Sequence, residues 1–174
     1  EDFVTTLVTT STHSDLLFFT DKGRVYQTKM YDVPEGKRAT RGKSIMNFLS
    51  LTEGEKVTSI MPMPKESKQK TLSLAMVTKK GVIKKTAAEK FREVRRSGLM
   101  AIKLAGGDEL AGVFLVEKGD SVILSTAGGQ SIRFKESDAR EMGRSAGGVR
   151  AMKLGKGDSI IGAAAVSGGR VAEG

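Results

Sequence analysis

The sequence has 174 residues, 39% hydrophobic and 28% charged, a composition typical of a globular domain with a hydrophobic core of its own. It contains no cysteine, which excludes disulfides, zinc–thiolate sites and thiol nucleophiles. Lysine and arginine (29) outnumber aspartate and glutamate (20), and the net charge of +9 favours an anionic partner, nucleic acid above all.

Neither a membrane segment nor a leader is predicted. No apolar run approaches the roughly 20 residues that span a bilayer. The sequence opens on Glu1 and Asp2 instead of on Met or a basic stretch, so we expect no signal peptide and interpret the chain as a piece of a longer protein.

Three β-hairpins are predicted in chain order, at residues 16–26, 74–84 and 122–133. Each is an apolar run, a threonine, a short turn closed by glycine, and a second strand-like run. Glycine supplies the positive φ that such a turn requires. The closing glycines, Gly23, Gly81 and Gly129, lie 58 and 48 residues apart.

A second marker follows each hairpin, at residues 51–55, 104–108 and 154–158. Its glycines, Gly54, Gly107 and Gly157, are 53 and 50 residues apart, and a further strand is predicted after each marker, at residues 57–61, 110–116 and 160–166. Two markers with nearly the same period indicate repeated units of about 50 residues with roughly four strands, the size of a propeller blade.

The predicted fold is therefore all-β and propeller-like, with three four-stranded blades in repeats at residues 1–62, 63–111 and 112–174 of a single domain. An opening strand is predicted at residues 3–9, and helical turns at 87–91 and 136–142. The alternative is another all-β sandwich, which has no reason to repeat two markers in register.

Positive charge is unevenly distributed among the repeats. Residues 1–60 have no net charge, residues 61–111 carry +7 and residues 112–174 carry +2. Recurrence at equivalent positions around an axis would make a curved positive belt along which a duplex bends. The predicted DNA-binding residues are Arg24, Lys29, Lys37, Arg38, Arg41, Lys43, Lys79, Lys80, Lys84, Lys85, Arg92, Arg95, Arg96, Lys103, Arg133, Lys135, Arg140, Arg144, Arg150 and Lys153.

No catalytic or metal site is predicted. The acidic residues of the second marker, Glu55, Asp108 and Asp158, occur once per repeat, which favours a structural turn role over a catalytic pair. Nor does the sequence show a recognition helix, a zinc finger or an RNP-type aromatic pair, so base readout is not expected. Two alternatives to DNA binding are a solubilising basic surface and a propeller-type protein-interaction module.

The order of several motifs resembles the C-terminal domain of the gyrase A subunit over essentially the whole chain. The segments that carry the resemblance are residues 17–26 (LFFTDKGRVY), 41–43 (RGK), 101–104 (AIKL), 107–110 (GDEL), 133–137 (RFKES), 142–144 (MGR) and 147–150 (GGVR). The resemblance implies a β-pinwheel, a propeller-like disc in which neighbouring blades exchange strands. It also implies that double-stranded DNA wraps around a basic outer rim, in support of negative supercoiling.

The resemblance further implies a non-catalytic part of an ATP-dependent type II DNA topoisomerase, without a cofactor or metal of its own. ATP and magnesium would act elsewhere in the parent enzyme. The implied partners are the rest of the gyrase A subunit, together with the gyrase B subunit, in an A2B2 assembly. The implied location is the bacterial cytoplasm, in association with the nucleoid.

One departure keeps an alternative open. The family's Gln-Arg-Arg-Gly-Gly-Lys-Gly box is not in this sequence, and residues 37–43 (KRATRGK) are a different loop. In the family the box lies just before the stretch that resembles residues 1–4, so we expect it upstream of Glu1. The alternative is the corresponding domain of the topoisomerase IV A subunit, which would guide DNA for decatenation.

Overall fold

The computed structural model describes residues 15–29, 51–64, 71–92, 94 and 98–167. The described residues form three antiparallel sheets and two short 3-10 helices, at Ala88–Phe91 and Glu136–Asp138. None of the described residues belongs to a helix long and apolar enough to cross a membrane.

Each sheet is built on one of the predicted hairpins. The first sheet has the order β3-β1-β2-β6, with β1 at Asp15–Thr20, β2 at Arg24–Lys29, β3 at Val57–Pro62 and β6 at Leu99–Met100. The second has the order β7-β4-β5-β10, with β4 at Leu72–Thr78, β5 at Val82–Ala87, β7 at Leu110–Glu117 and β10 at Val149–Arg150. The third has the order β11-β8-β9, with β8 at Ser121–Thr126, β9 at Ser131–Lys135 and β11 at Ile160–Val166.

Register identifies equivalent residues in the three sheets. Across the hairpins, Phe18 pairs with Tyr26, Met76 with Lys84, and Leu124 with Ile132. The closing glycines adopt positive φ, 79° at Gly23, 92° at Gly81 and 89° at Gly129, as the turn chemistry predicts. Tyr26, Lys84 and Ile132 therefore occupy the same position of the repeat.

The outer strand of the first two sheets comes from the next repeat along the chain. β6 lies beyond the second hairpin yet pairs with β2, and β10 lies beyond the third hairpin yet pairs with β5. Neighbouring sheets therefore exchange strands, which is the pinwheel arrangement that the resemblance implies. Within the described residues, β9 has no such fourth strand, so the third sheet has three strands where four were predicted.

The sheets converge along the strands that follow the second marker. β7 contacts both β3 and β11, which places these three strands on the inner side of the stack. β6 and β10 occupy the opposite, outer edges. The predicted repeat boundary at residue 111 falls inside β7, because the chain crosses from one repeat to the next only after this strand has completed the second sheet.

Hydrophobic side chains from alternating strand positions pack between the sheets. Leu17 and Phe19 of the first sheet join Leu74 and Met76 of the second in one core cluster, where the Phe19 ring meets Phe91 edge-on at 5.8 Å. The opposite face of the second sheet forms another cluster with the third. Burial on both faces of the second sheet explains why β4 is apolar along most of its length.

The predicted strands and turns within the described residues are confirmed. The strands after the marker occur at Val57–Pro62, Leu110–Glu117 and Ile160–Val166, within one residue of the predicted bounds. Both predicted helical turns are short 3-10 helices. The predicted strand at residues 3–9 lies outside the described residues.

Candidate nucleic-acid interface

Two stretches of chain form the outer edge of the stack, and we call them the first rim segment (residues 98–104) and the second rim segment (residues 144–154). The first contains β6 and the second contains β10. The sequences GLMAIKL at 98–104 and GVRAMKL at 148–154 are identical at four of seven positions. Each includes an exchanged edge strand and the residues that directly follow it.

Each rim segment is fastened to the hairpin turn of the preceding sheet. The backbone N–H groups of Ala101 and Ile102 donate to the Gly23 carbonyl oxygen at 2.8 and 3.2 Å. In the second rim segment, those of Ala151 and Met152 donate to the Gly81 carbonyl oxygen at 2.8 and 3.3 Å. The two segments therefore hold their side chains at equivalent places on successive sheets.

The rim segments present basic side chains to solvent. Lys103 and Lys153 are exposed and occupy equivalent positions, each directly after a residue that bonds to a turn glycine. Arg150 on β10 is exposed, and Arg144 is half-buried. On the neighbouring strand β2, the guanidinium of Arg24 lies 5.5 Å from the ring centroid of Tyr26. These residues form a positive strip along the outer edge.

A second group of lysines lies at the hairpin-turn end of the second sheet. Lys79 and Lys80 are exposed, but the Lys79 ammonium is 2.7 Å from the Glu109 carboxylate and Lys80 donates to the Gly106 carbonyl at 3.3 Å. The hydrogen bond to Glu109 raises the pKa of Lys79.

The first sheet has an equivalent lysine that was not among the predicted residues. Lys22 is exposed and precedes Gly23 in the first hairpin turn, as Lys80 precedes Gly81 in the second. Aligning the hairpin turns by their closing glycines would have found it.

The remaining exposed cations of the predicted set lie on the third sheet and in the loops. Arg133 and Lys135 alternate along β9 and point away from the second sheet, because the intervening Ile132 and Phe134 pack toward it. Arg92 and Arg140 follow the two 3-10 helices and are exposed.

Lys84 does not lie on the surface as predicted. Its side chain is 1% exposed, and its ammonium donates to the carbonyl oxygens of Ala101 and Arg144, both at 2.5 Å. Burial, and then the charge of Arg144, lowers the pKa of Lys84 to about 8. The reason is the alternation of side chains along a strand. Lys84 in β5 occupies the same repeat position as Tyr26 in β2, and both side chains are buried.

Lys85 is half-buried and ion-paired across sheets. Its ammonium lies 2.5 Å from the Glu136 carboxylate, which the backbone N–H of Gly119 also contacts at 3.2 Å. Burial opposes the ionisation of Glu136, but the bonds from Lys85 and Gly119 outweigh it and lower the pKa of this carboxyl. Because its charge is matched, Lys85 contributes little positive potential to the outer edge.

Seven residues of the predicted set remain. Lys29 is the last residue of β2. Lys37, Arg38, Arg41, Lys43, Arg95 and Arg96 lie outside the described residues.

Two of the three recurring acidic residues, Asp108 and Asp158, brace the hairpin turns, in the structural turn role that their single occurrence per repeat predicts. Asp108 accepts the backbone N–H of Lys80 at 3.1 Å, and Asp158 accepts that of Gly128 at 2.8 Å. The first sheet reverses the arrangement, because Asp21 in the turn accepts the N–H of Lys56 in the marker at 2.9 Å. These carboxylates have structural partners and belong to the turns.

Glu55, the recurring acidic residue of the first repeat, instead belongs to a buried hydrogen-bond network. It accepts bonds from the hydroxyls of Thr20 and Tyr26 at 2.6 and 2.8 Å and from the Thr52 N–H at 3.0 Å. Burial raises its pKa, but these hydrogen bonds more than compensate and lower it overall. Burial and the same contact raise the pKa of Tyr26 to about 12. Tyr26 is therefore a structural donor.

Comparison with known proteins agrees with this architecture. A family model described as the DNA gyrase C-terminal domain, a β-propeller, matches residues 14–62, 73–117 and 120–167. The DNA gyrase A subunit of Escherichia coli (strain K12) is 42% identical over 161 residues, 92% of this chain and 18% of the relative. That of Clostridium acetobutylicum is 43% identical over 150 residues, 86% of this chain and 18% of the relative. The chain thus spans less than a fifth of these relatives.

Solved structures show the same fold. A crystal structure of the C-terminal domain of DNA topoisomerase IV matches with a TM-score of 0.78 and 27% identity, over 90% of this chain and 48% of that one. A DNA gyrase A C-terminal domain matches with a TM-score of 0.71 and 24% identity, over 90% of this chain and 49% of that one.

Strand-exchanged antiparallel sheets stacked about their inner strands define a propeller of the pinwheel type. The outer edges of these sheets carry the positive strip described above. With three matched segments covering most of its length, the chain belongs to the DNA gyrase C-terminal domain family.

Proposed function

We propose that this chain binds double-stranded DNA without sequence specificity and bends it along the rim segments. The observation that carries the proposal is the recurrence of Lys103 and Lys153 at equivalent, exposed places on successive sheets, with Arg150 also exposed in the second rim segment. A duplex that follows both segments meets a cation at each sheet. Phosphate neutralisation then offsets the elastic cost of bending, which is of order 1–6 kcal/mol for a short site.

The proposed role in the cell is that of a non-catalytic, DNA-wrapping part of DNA gyrase. The wrap would support ATP-dependent negative supercoiling within an assembly of two A and two B subunits, in the bacterial cytoplasm at the nucleoid. Support comes from the family and from the two gyrase A relatives at 42% and 43% identity. ATP and magnesium would act on other parts of the parent enzyme.

A second candidate is the corresponding domain of topoisomerase IV, where DNA would be guided for decatenation. The solved topoisomerase IV domain, with its TM-score of 0.78, favours it. The two candidates share duplex binding along the rim and differ in whether the bound DNA is wrapped with one handedness. Relaxing closed-circular DNA in the presence of the protein and counting the trapped linking difference separates them, because only a handed wrap leaves a linking difference of fixed sign.

The direct test is duplex binding as a function of salt. For the double variant Lys103→Ala/Lys153→Ala, we expect the negative slope of log K against log salt to become shallower by about 2. Each lost phosphate contact reduces its magnitude by about 0.9. The matched control is Lys118→Ala/Lys156→Ala, two exposed lysines outside the predicted set. Equal slopes for the two double variants would contradict binding along the rim. Salt-independent binding would instead favour a protein-interaction module.

A further inference from the structure

One buried cation lies beneath the rim and takes no part in the proposed contact with DNA. Lys84 is among the largest fully buried side chains of the described residues, and its equivalents in the first and third sheets are Tyr26 and Ile132. Taking an ammonium out of water is costly unless polar groups replace the water. A lysine at a position that elsewhere holds an aromatic or aliphatic residue therefore calls for a specific explanation.

The contacts of Lys84 connect the two rim segments. One of its acceptors, the Ala101 carbonyl, belongs to the first rim segment, and the other, the Arg144 carbonyl, belongs to the second. Both hydrogen bonds are short, at 2.5 Å. The ammonium lies between two stretches of chain that are 43 residues apart in sequence.

A backbone hydrogen bond also joins the two rim segments at this place, which we call the junction. The Lys103 N–H donates to the Ala146 carbonyl at 3.1 Å, so the first rim segment also touches the second directly. A Cβ on Gly147 would lie 3.1 Å from the Lys103 carbonyl oxygen, which leaves little room between them. The junction thus fixes the separation between Lys103 and the cations of the second segment.

We infer that Lys84 is a positioning residue for DNA binding: it touches no phosphate and ties the two rim segments together, so that Lys103, Arg144 and Arg150 keep one spacing. The inference rests on the proposed function. A duplex has a fixed phosphate spacing, so cations that keep their separation can neutralise several phosphates at once. Cations on segments that move independently would bind fewer phosphates together.

The test compares Lys84→Met with Lys118→Met, which loses the same charge from an exposed turn. Methionine keeps the apolar stem and removes both hydrogen bonds. Duplex binding is measured against salt at a temperature where thermal denaturation shows each variant to be fully folded. For Lys84→Met we expect the negative slope of log K against log salt to become shallower by about 2, with a loss of affinity of about tenfold or more at moderate salt. Loss of a single direct phosphate contact would reduce the magnitude of the slope by only about 0.9.

A second pair of variants moves the junction without changing charge. Gly147→Ala places a methyl against the Lys103 carbonyl, whereas Gly143→Ala meets nothing within 4 Å, and neither glycine has positive φ. We expect Gly147→Ala to lower the slope by about 1 and Gly143→Ala to match the unmodified chain. If Lys84→Met does not fold, this pair decides the question.

The outcomes of these experiments distinguish failure of the positioning role of Lys84 from failure of the proposed DNA binding. Salt-independent binding by the unmodified chain would overturn the proposed function. Normal binding, with Lys84→Met equal to Lys118→Met or Gly147→Ala equal to Gly143→Ala, would overturn the positioning role alone. A purely structural Lys84 would lower the melting temperature and leave the slope of the folded variant unchanged.

Discussion

The second and third sheets contain the same type of hairpin but differ in one face. In each sheet this is the face directed away from the preceding sheet. Val77 and Ile83 of the second sheet are buried in the cluster shared with the third sheet. Their equivalents by register are Ser125 and Ser131, which are half-buried and exposed. The same strand geometry therefore carries an apolar face in one sheet and a polar face in the other.

The charged side chains on these faces also differ between the second and third sheets. The outward face of the third sheet continues with Arg133 and Lys135, both exposed, where the second sheet has Lys85 paired with Glu136. Stacked repeats need an apolar face only where another unit covers it, and a terminal unit is soluble when its outer face is polar. Among the described residues, the second sheet is therefore covered on both faces, whereas the third sheet is covered on one face and is polar on the other.

The largest expected effect concerns the turn glycines. A Cβ on Gly81 would lie 2.7 Å from the Met152 carbonyl oxygen, whereas a Cβ on Gly129 would meet nothing within 4 Å. Both have positive φ, which costs a non-glycine residue about 1–2 kcal/mol. We expect Gly129→Ala to lose about that much stability and Gly81→Ala about 3–4 kcal/mol, because the backbone contact adds to the strain.

Urea unfolding measures both glycine variants, and Gly23→Ala serves as an internal check. Its Cβ would also lie 2.7 Å from a carbonyl oxygen, that of Ile102, so it should resemble Gly81→Ala. Equal losses at Gly81 and Gly129 would mean that a further segment packs on the third turn as the rim segments pack on the other two.

The next effect tests the faces themselves. Val77→Ser removes buried apolar volume and leaves a hydroxyl in its place, which should cost about 2–4 kcal/mol. Ser125→Val changes a half-buried residue at the equivalent position and should alter the stability by about 0.5 kcal/mol or less. Both are read from urea unfolding midpoints. A large gain from Ser125→Val would show that the outward face of the third sheet is covered.

Much of the fold was predictable from sequence. The three hairpins and the strands after the markers were predicted because apolar runs and turn glycines are local signals. The exchange of β6 and β10 followed only from the resemblance, because two-residue strands are too short for periodicity to indicate and their partners lie in another repeat.

The candidate site was less predictable than the fold. Lys84 and Lys85 are adjacent lysines in one strand, and composition assigns both to the surface. Alternation sends one of them inward, and only the alignment of Lys84 with Tyr26 and Ile132 shows which one. Lys103 and Lys153 were predicted as belt residues, and their equivalence is visible in the sequence because each directly precedes a second marker. The bonds to Gly23 and Gly81 that hold them at the outer edge are not specified by any sequence pattern.

The smallest expected effect uses a buried repeat position at which the second sheet has an ionisable side chain and the third does not. Lys84 has its pKa lowered to about 8 from 10.5, whereas Ile132 carries no ionisable group. Between these values the unfolded chain binds a proton that the folded chain does not, so stability should rise with pH across this window. Below pH 8 both states are protonated and the pH dependence from this group disappears.

Thermal or urea unfolding between pH 7.5 and 9.5 measures this contribution by comparing the unmodified chain with Lys84→Met. We expect the unmodified chain to gain on the order of 1 kcal/mol relative to the variant over this range, because one pKa unit corresponds to about 1.4 kcal/mol and the two carbonyl acceptors favour the charged form in part. Other titrating groups are shared by both proteins, so they cancel in the difference. A constant difference in stability would mean that the carbonyls of Ala101 and Arg144 compensate fully for burial, which would make the junction of the rim segments independent of pH.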